Sequence, residues 1–223
     1  MTNAPQASQM VDESHRDWTA FTSLDNMSNH WDRAAWWPGR QGYYWYLTFD
    51  EDTELRSVAE RCQNAIQAPY FDLVPLSHLH LTISRIGFDD ELDQDELDAV
   101  AVAAGNACQF IGSFDMTIGP LAGSSGAISF SVSPLAPLLK AKEILDEVSA
   151  QVLSNPQPVK TNFRPHVGIA YCNTTVPMAK VAPIIRPLRN LPRVQTRITG
   201  ANLVRLIRGE QSYRWLSLGW FQF

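Results

Sequence analysis

Cysteine is scarce in this 223-residue chain. Cys62, Cys108 and Cys172 are widely spaced, odd in number and embedded in apolar segments rather than paired as C-x-x-C, which argues against a disulfide framework or a cysteine zinc site. Long apolar runs are also missing. No stretch approaches the ~20 consecutive apolar residues of a membrane helix, and the N-terminus, MTNAPQASQMVDESHRDW, has no cationic start followed by an apolar run. The expectation is a soluble, cytoplasmic monomer with no membrane partner. There is no P-loop, no G-x-G-x-x-G after a strand, no H-E-x-x-H and no EF-hand loop, so no cofactor and no metal is expected. What is present is ordinary globular composition, 45% hydrophobic and 18% charged, which excludes disordered, collagen-like and coiled-coil chains.

The net charge of −5 argues against a general nucleic-acid binder, but its distribution is uneven. Residues 160–223 hold ten Lys and Arg (Lys160, Arg164, Lys180, Arg186, Arg189, Arg193, Arg197, Arg205, Arg208 and Arg214) and one acid, Glu210, a balance of +9 against −14 for the rest. Such asymmetry suggests one lobe that attracts anions such as phosphate, or two lobes that dock through opposite charge.

The first ~28 residues are polar without apolar periodicity and read as a flexible extension (1–28) ahead of a single bilobal domain (29–223). Trp31, Trp36 and Trp37 precede the Pro38-Gly39 turn, and YYWYLTF (43–49) predicts a buried strand. Leu55, Val58, Ala59, Cys62, Ala65 and Ile66 recur at helical spacing. A strand over 79–85, a helix over 93–109, two strands FDMTIGPL and AISFSV, and a helix over 138–152 follow. A strand over 166–171, a short helix near 177–189, and strands near 194–199, 201–207 and 213–221 complete the order. Strands mixed with two helices thus run through twice, each half about 90 residues long, which favours an α+β fold of two pseudo-symmetric sheet-plus-helices lobes around a central groove over a doubly wound parallel sheet.

Only five histidines occur, and two open similar strands: His80-Leu81-Thr82-Ile83 and His166-Val167-Gly168-Ile169. Strand side chains alternate, so His80 shares a face with Thr82, and His166 with Gly168. If the lobes pack about a pseudo-two-fold axis, both faces line one cleft. One imidazole can then take a proton from an attacking water while the other gives one to a leaving oxygen. The Thr82 hydroxyl and a backbone N–H can stabilise charge on a phosphoryl group. A single H-x-T carries little information; two at strand starts, one lobe apart, carry more.

With these residues the sequence resembles the 2H (two-histidine) phosphoesterase superfamily, and within it the bacterial 2′-5′ RNA ligase / RNA 2′,3′-cyclic phosphodiesterase family, whose signature is one His-x-Thr/Ser motif per lobe. HLTI at His80 matches in full, FRPH before His166 is similar to the second motif, and the likeness extends over residues from about 31 to 221. The resemblance implies a bilobal fold and metal-independent phosphodiester chemistry, with His80 and His166 as the catalytic pair, beside which the Thr82 hydroxyl can donate a hydrogen bond to a phosphoryl oxygen. Two departures stand out: Gly168 replaces the usual Thr or Ser, and Tyr171 stands where the family often has an Arg five residues after the second histidine, whereas Arg85 stands five after His80. The phosphate-neutralising arginine is then either Arg85 or Arg164.

Other candidates carry two readings each. Tyr44 and Tyr46 either stack a base or fill a core; His78 and Ser84 share the His80 face by alternation; Arg205 and Arg208 either meet phosphates or protect a sheet edge. The expected function is opening of a 2′,3′-cyclic phosphate on a nucleotide or RNA end, with possible reversal as 2′-5′ ligation. The alternatives are a catalytically weak nucleotide or RNA-end binding protein on the same fold, and a purely structural protein whose strand histidines are incidental. Among enzyme substrates, 2′,5′-oligonucleotides, cyclic dinucleotides and ADP-ribose cyclic phosphates are not separated by sequence.

Overall fold

The computed structural model describes residues 4–158 and 162–223; Lys160, counted above among the basic residues, lies outside them. In chain order the elements are α1 (Ala4–Thr22), β1 (Asn26–Met27), β2 (Gln41–Thr48), α2 (Thr53–Ala65), β3 (Phe71–Leu73), β4 (His80–Phe88), α3 (Gln94–Ala107), β5 (Phe114–Gly123) and β6 (Ala127–Ser133). Then come α4 (Leu135–Val152), β7 (His166–Cys172), β8 (Val176–Pro177), α5 (Met178–Leu188), β9 (Val194–Ile198), β10 (Gly200–Arg208) and β11 (Tyr213–Gln222). Local chemistry accounts for the helix starts. Asp52 accepts the Leu55 N–H at the head of α2, and Asp93 with Glu96 forms a reciprocal capping box on α3.

One antiparallel sheet runs β11-β10-β2-β4-β7-β6-β5-β9, with β3 added beside β7. It consists of two four-stranded halves, β11-β10-β2-β4 and β9-β5-β6-β7, which meet through a single backbone pair, Leu81 with Val167. The two histidine strands are therefore the inner edges of the halves. The α+β bilobal expectation holds, but the division of the chain does not follow the midpoint. β10 returns to pair with β2, so the first half is closed by the last strands. Its residues are buried on both faces, Leu203 on one and Val204 and Leu206 on the other, as a strand between two neighbours requires. The basic tail is thereby split between both halves, and its charge does not mark one lobe.

One face of the sheet packs on the helices, with Trp45, Leu47, Leu81, Ile83, Phe130, Val167 and Ile169 meeting Leu55, Val100, Leu138 and Leu145. The other face of the first half carries a smaller aromatic cluster of Trp36, Tyr44, Tyr46, Phe88, Val204 and Leu206. Trp36 thus covers an apolar face, while Trp37 stays half exposed. Residues 4–22, inside the stretch expected to be an extension, form α1 along β5 and β6. Phe21 is 1% exposed, and it presses so closely on Gly123 that a Cβ there would lie 2.7 Å from its ring. Burying such a ring contributes about 1.5–3 kcal/mol. Trp18 and Phe21 are too few apolar positions in a polar stretch to show a helical period.

Candidate active site

Cross-strand partners on an antiparallel sheet point to the same face, so the register identifies what surrounds the histidines. On β2 and β4 the pairs are Thr48 with His80, Tyr46 with Thr82, and Tyr44 with Arg85. Ile83 has no partner, because Trp45 pairs with Ser84. This is a β-bulge, an extra residue that resets the alternation. It turns Arg85 to the histidine face and pairs Ser84 with core-facing Trp45, correcting the strict alternation that placed Ser84 beside His80. On β7 the same device recurs: Ser131 pairs with His166, Ser129 with Gly168, Ile128 with Ala170 and Ala127 with Tyr171, leaving Ile169 as the extra residue. Both strands therefore carry a bulge three residues after the histidine, and both bring the residue five places on to its face.

About the Leu81–Val167 junction, His80, Thr82, His166 and Gly168 form a square, with the two histidines on a diagonal that spans about 7–8 Å in a regular antiparallel pair. Each ring is held alike. Nδ1 of His80 donates to the carbonyl of His78 at 2.8 Å, and Nδ1 of His166 donates to the carbonyl of Arg164 at 2.9 Å. Since a carbonyl only accepts, Nδ1 carries the proton in both, and Nε2 is the nitrogen left for chemistry. Tyr46 stacks flat on His80, centroids 4.2 Å apart and planes 8° off parallel, and it is the cross-strand partner of Thr82. Desolvation lowers the pKa of His80 to about 4, with His166 and His78 adding to the fall and the backbone bond opposing it. His166 is lowered by desolvation and by Arg164, against its own backbone bond and Asp17. Both rings are neutral bases in the free protein at neutral pH, and an anion seated between them would raise both values.

Beyond the junction on the Thr82 side, β4 and β7 part, and a groove of about 380 Å³ opens between β4, α4 and the chain before β7. Thr82, Ser84, Arg85, Tyr44, Arg164 and His166 line it, with Gln157 and Phe163, whereas His80 lines the small cavity on the other side of the junction. Arg85 donates to Gln157, sits across the strands from Tyr44 and lies 4.4 Å from the Phe88 ring. Arg164 donates to Asp17 at 3.0 Å and to the carbonyl of Gly123. Lys142 and Asp146, an ion pair on α4, close the floor.

The remaining candidates lie elsewhere. Tyr46 is 2% exposed beneath His80 and has no free face for a base. Tyr44 shows the groove its edge, its ring stacked on Trp36. Tyr171 reaches the histidine face but on the far side of the junction, wedged against His30, Trp31 and Tyr213. A small cavity joins it there to His78 and His80. His78 is half-buried against Trp215. Arg208 is buried and donates to the Trp31 carbonyl, and Arg205 on β10 is the cross-strand partner of Tyr43 on β2, away from the groove face. An added Cβ at Gly168 meets nothing within 4 Å, so the space a Thr or Ser would fill is open. Sequence reasoning missed Asp17, Gln157 and the Lys142–Asp146 pair. None sits in a motif, and only the fold brings them near.

This arrangement, two single-histidine strands abutting at the centre of one antiparallel sheet, defines a two-histidine phosphoesterase fold. A model of the 2′-5′ RNA ligase superfamily matches residues 49–210, and the chain belongs to that superfamily. Among solved structures it is similar to E. coli LigT complexed with 3′-AMP, at TM-score 0.63 and 16% identity over 82% of this chain and 98% of that one. It is also similar to TT0787 of Thermus thermophilus, at 0.60 and 18% over 82% and 97%, and to E. coli LigT complexed with NADP+, at 0.60 and 17% over 82% and 98%. At these identities the likeness is one of fold. No curated protein sequence matches the chain. Among the described residues no helix is long and apolar enough to cross a membrane.

Proposed function

We propose that the protein is a metal-independent phosphodiesterase that opens 2′,3′-cyclic phosphates on nucleotides or RNA ends. The observation that carries this is the matched pair of imidazoles on one sheet face, each with Nδ1 tied to the backbone and Nε2 left over. A cyclic phosphate between them meets Thr82 as hydrogen-bond donor and Arg164 or Arg85 as counter-charge. One Nε2 accepts a proton as a water oxygen attacks phosphorus. The bond from phosphorus to one ribose oxygen breaks, and the other histidine, protonated, gives its Nε2 proton to that departing oxygen, leaving a monoester. With a ribose hydroxyl in place of water as the nucleophile, the same groups open the cyclic phosphate into a phosphodiester, which is ligation. That LigT is seen with 3′-AMP and with NADP+ supports a nucleotide phosphate as the ligand class.

The test is incubation with 2′,3′-cyclic nucleotides in excess chelator. The expected product is the ring-opened monoester, and strict dependence on added metal would overturn the reading. Gly168, which removes a hydroxyl from the square, favours the second reading of a nucleotide or RNA-end binder with little turnover. Tight binding without product over hours would decide for it.

A further inference from the structure

The superfamily match begins at residue 49, yet the side chain nearest to controlling the second histidine comes from before it. Asp17 lies on α1 and places one carboxylate oxygen on each of two partners. Oδ1 accepts from Nε of Arg164 at 3.0 Å, and Oδ2 accepts from Oγ of Ser131 at 2.5 Å. Ser131 is buried and is the cross-strand partner of His166. Arg164 is also tied through Nη2 to the Gly123 carbonyl of β5, and buried Pro165 stiffens the link to His166. The main-chain carbonyl that fixes the His166 ring therefore belongs to a residue whose side chain is clamped at both ends. The His78 carbonyl, which does the same for His80, has no such clamp.

We propose that Asp17 is a positioning residue for His166: it locks Arg164 so that the Arg164 carbonyl holds Nδ1–H and aims Nε2 into the groove, and it offsets the arginine charge beside the ring. This rests on the reading of His166 as one of the proton-transfer pair. The charged and titratable groups around His166 include Asp17 from α1, Arg164 before β7, His80 from β4, His30, and the Lys142–Asp146 pair of α4, with Glu13 and Arg16 of α1 lining a neighbouring pocket beside Asp17 and Arg164. Asp17 is the acid that both bonds Arg164 and bears on the His166 charge.

The experiment is Asp17→Asn in the full chain, read by turnover of a 2′,3′-cyclic nucleotide and by NMR titration of the histidine side chains. Expected are a loss of about tenfold or more in kcat with KM nearly unchanged, as for a misaimed catalytic group, and a downward shift of the His166 titration by about half a unit or more. The His80 titration should hardly move. Arg164→Gln breaks the clamp from its exposed side and serves if Asp17→Asn does not fold; it should shift His166 upward. If His166 titrates unchanged in both variants, with wild-type turnover in Asp17→Asn, Asp17 has no positioning role. If wild type itself fails to turn over but the His166 shifts appear, the catalytic reading falls and the positioning stands.

Discussion

At His80 and His166 two demands compete: desolvation favours the neutral ring, and the proposed reaction needs one ring charged. Because the His80 pKa is lowered to about 4 and His166 is also depressed, the singly protonated pair grows in the free protein as pH falls below neutral. kcat/KM should therefore decline as pH rises through the slightly acidic range. The corresponding limb of kcat should lie at higher pH, since bound phosphate raises the acid's pKa. Coincident limbs in the two profiles would contradict this. Replacing either histidine by Ala should cost about 10²–10⁴-fold in kcat, whereas His78→Ala, whose ring faces Trp215, should cost little. Gly168→Ser puts a hydroxyl into open space beside His80. It should fold normally and raise turnover by up to about tenfold, the worth of a modest added donor; a drop in rate would show that the space belongs to substrate.

At the scale of single elements, the bulge at Ile83 gives Arg85 its part. Arg85→Ala should raise KM by about tenfold or more, the size of a lost charge-assisted bond, with kcat far less affected. A kinetic comparison on one cyclic nucleotide checks both. The same strands show how far pattern alone reaches. Helices are visible where apolar residues keep a period near 3.6, as in Leu55–Ile66, and the first histidine strand is visible through alternation at Leu79, Leu81 and Ile83. The bulges are hidden because Ile83 and Ile169 are apolar residues standing where an apolar residue is expected, so nothing in composition marks them as extra. α1 is hidden for the opposite reason, its anchoring carried by Trp18 and Phe21 in otherwise polar surroundings. The candidate site residues His80, Thr82 and His166 can be picked from pattern and family likeness, whereas Gln157 reaches the groove, and Asp17 the Arg164 at its rim, only through tertiary packing.

For the molecule as a whole, buried neutral imidazoles make stability depend on acidity. His30, which bonds Tyr213 and accepts from Arg33, is lowered to about 3 by burial and by the nearby arginines, and His80 to about 4. In the unfolded chain both take up protons near pH 6.5. The folded state thus keeps its full advantage above that value and loses it progressively as pH falls toward 4 and 3. Thermal melts should show Tm falling across this window, with a shallower fall for His30→Asn once its own offset at pH 8 is subtracted; parallel curves would rule the His30 contribution out. The topology has one more outcome. β2, in the first quarter of the chain, must wait for residues 200–222 before its outer side is covered. On the ribosome, Tyr44 and Tyr46 would stay uncovered until almost the whole polypeptide had been made, and a nascent chain stalled at residue 199 should aggregate or recruit a chaperone.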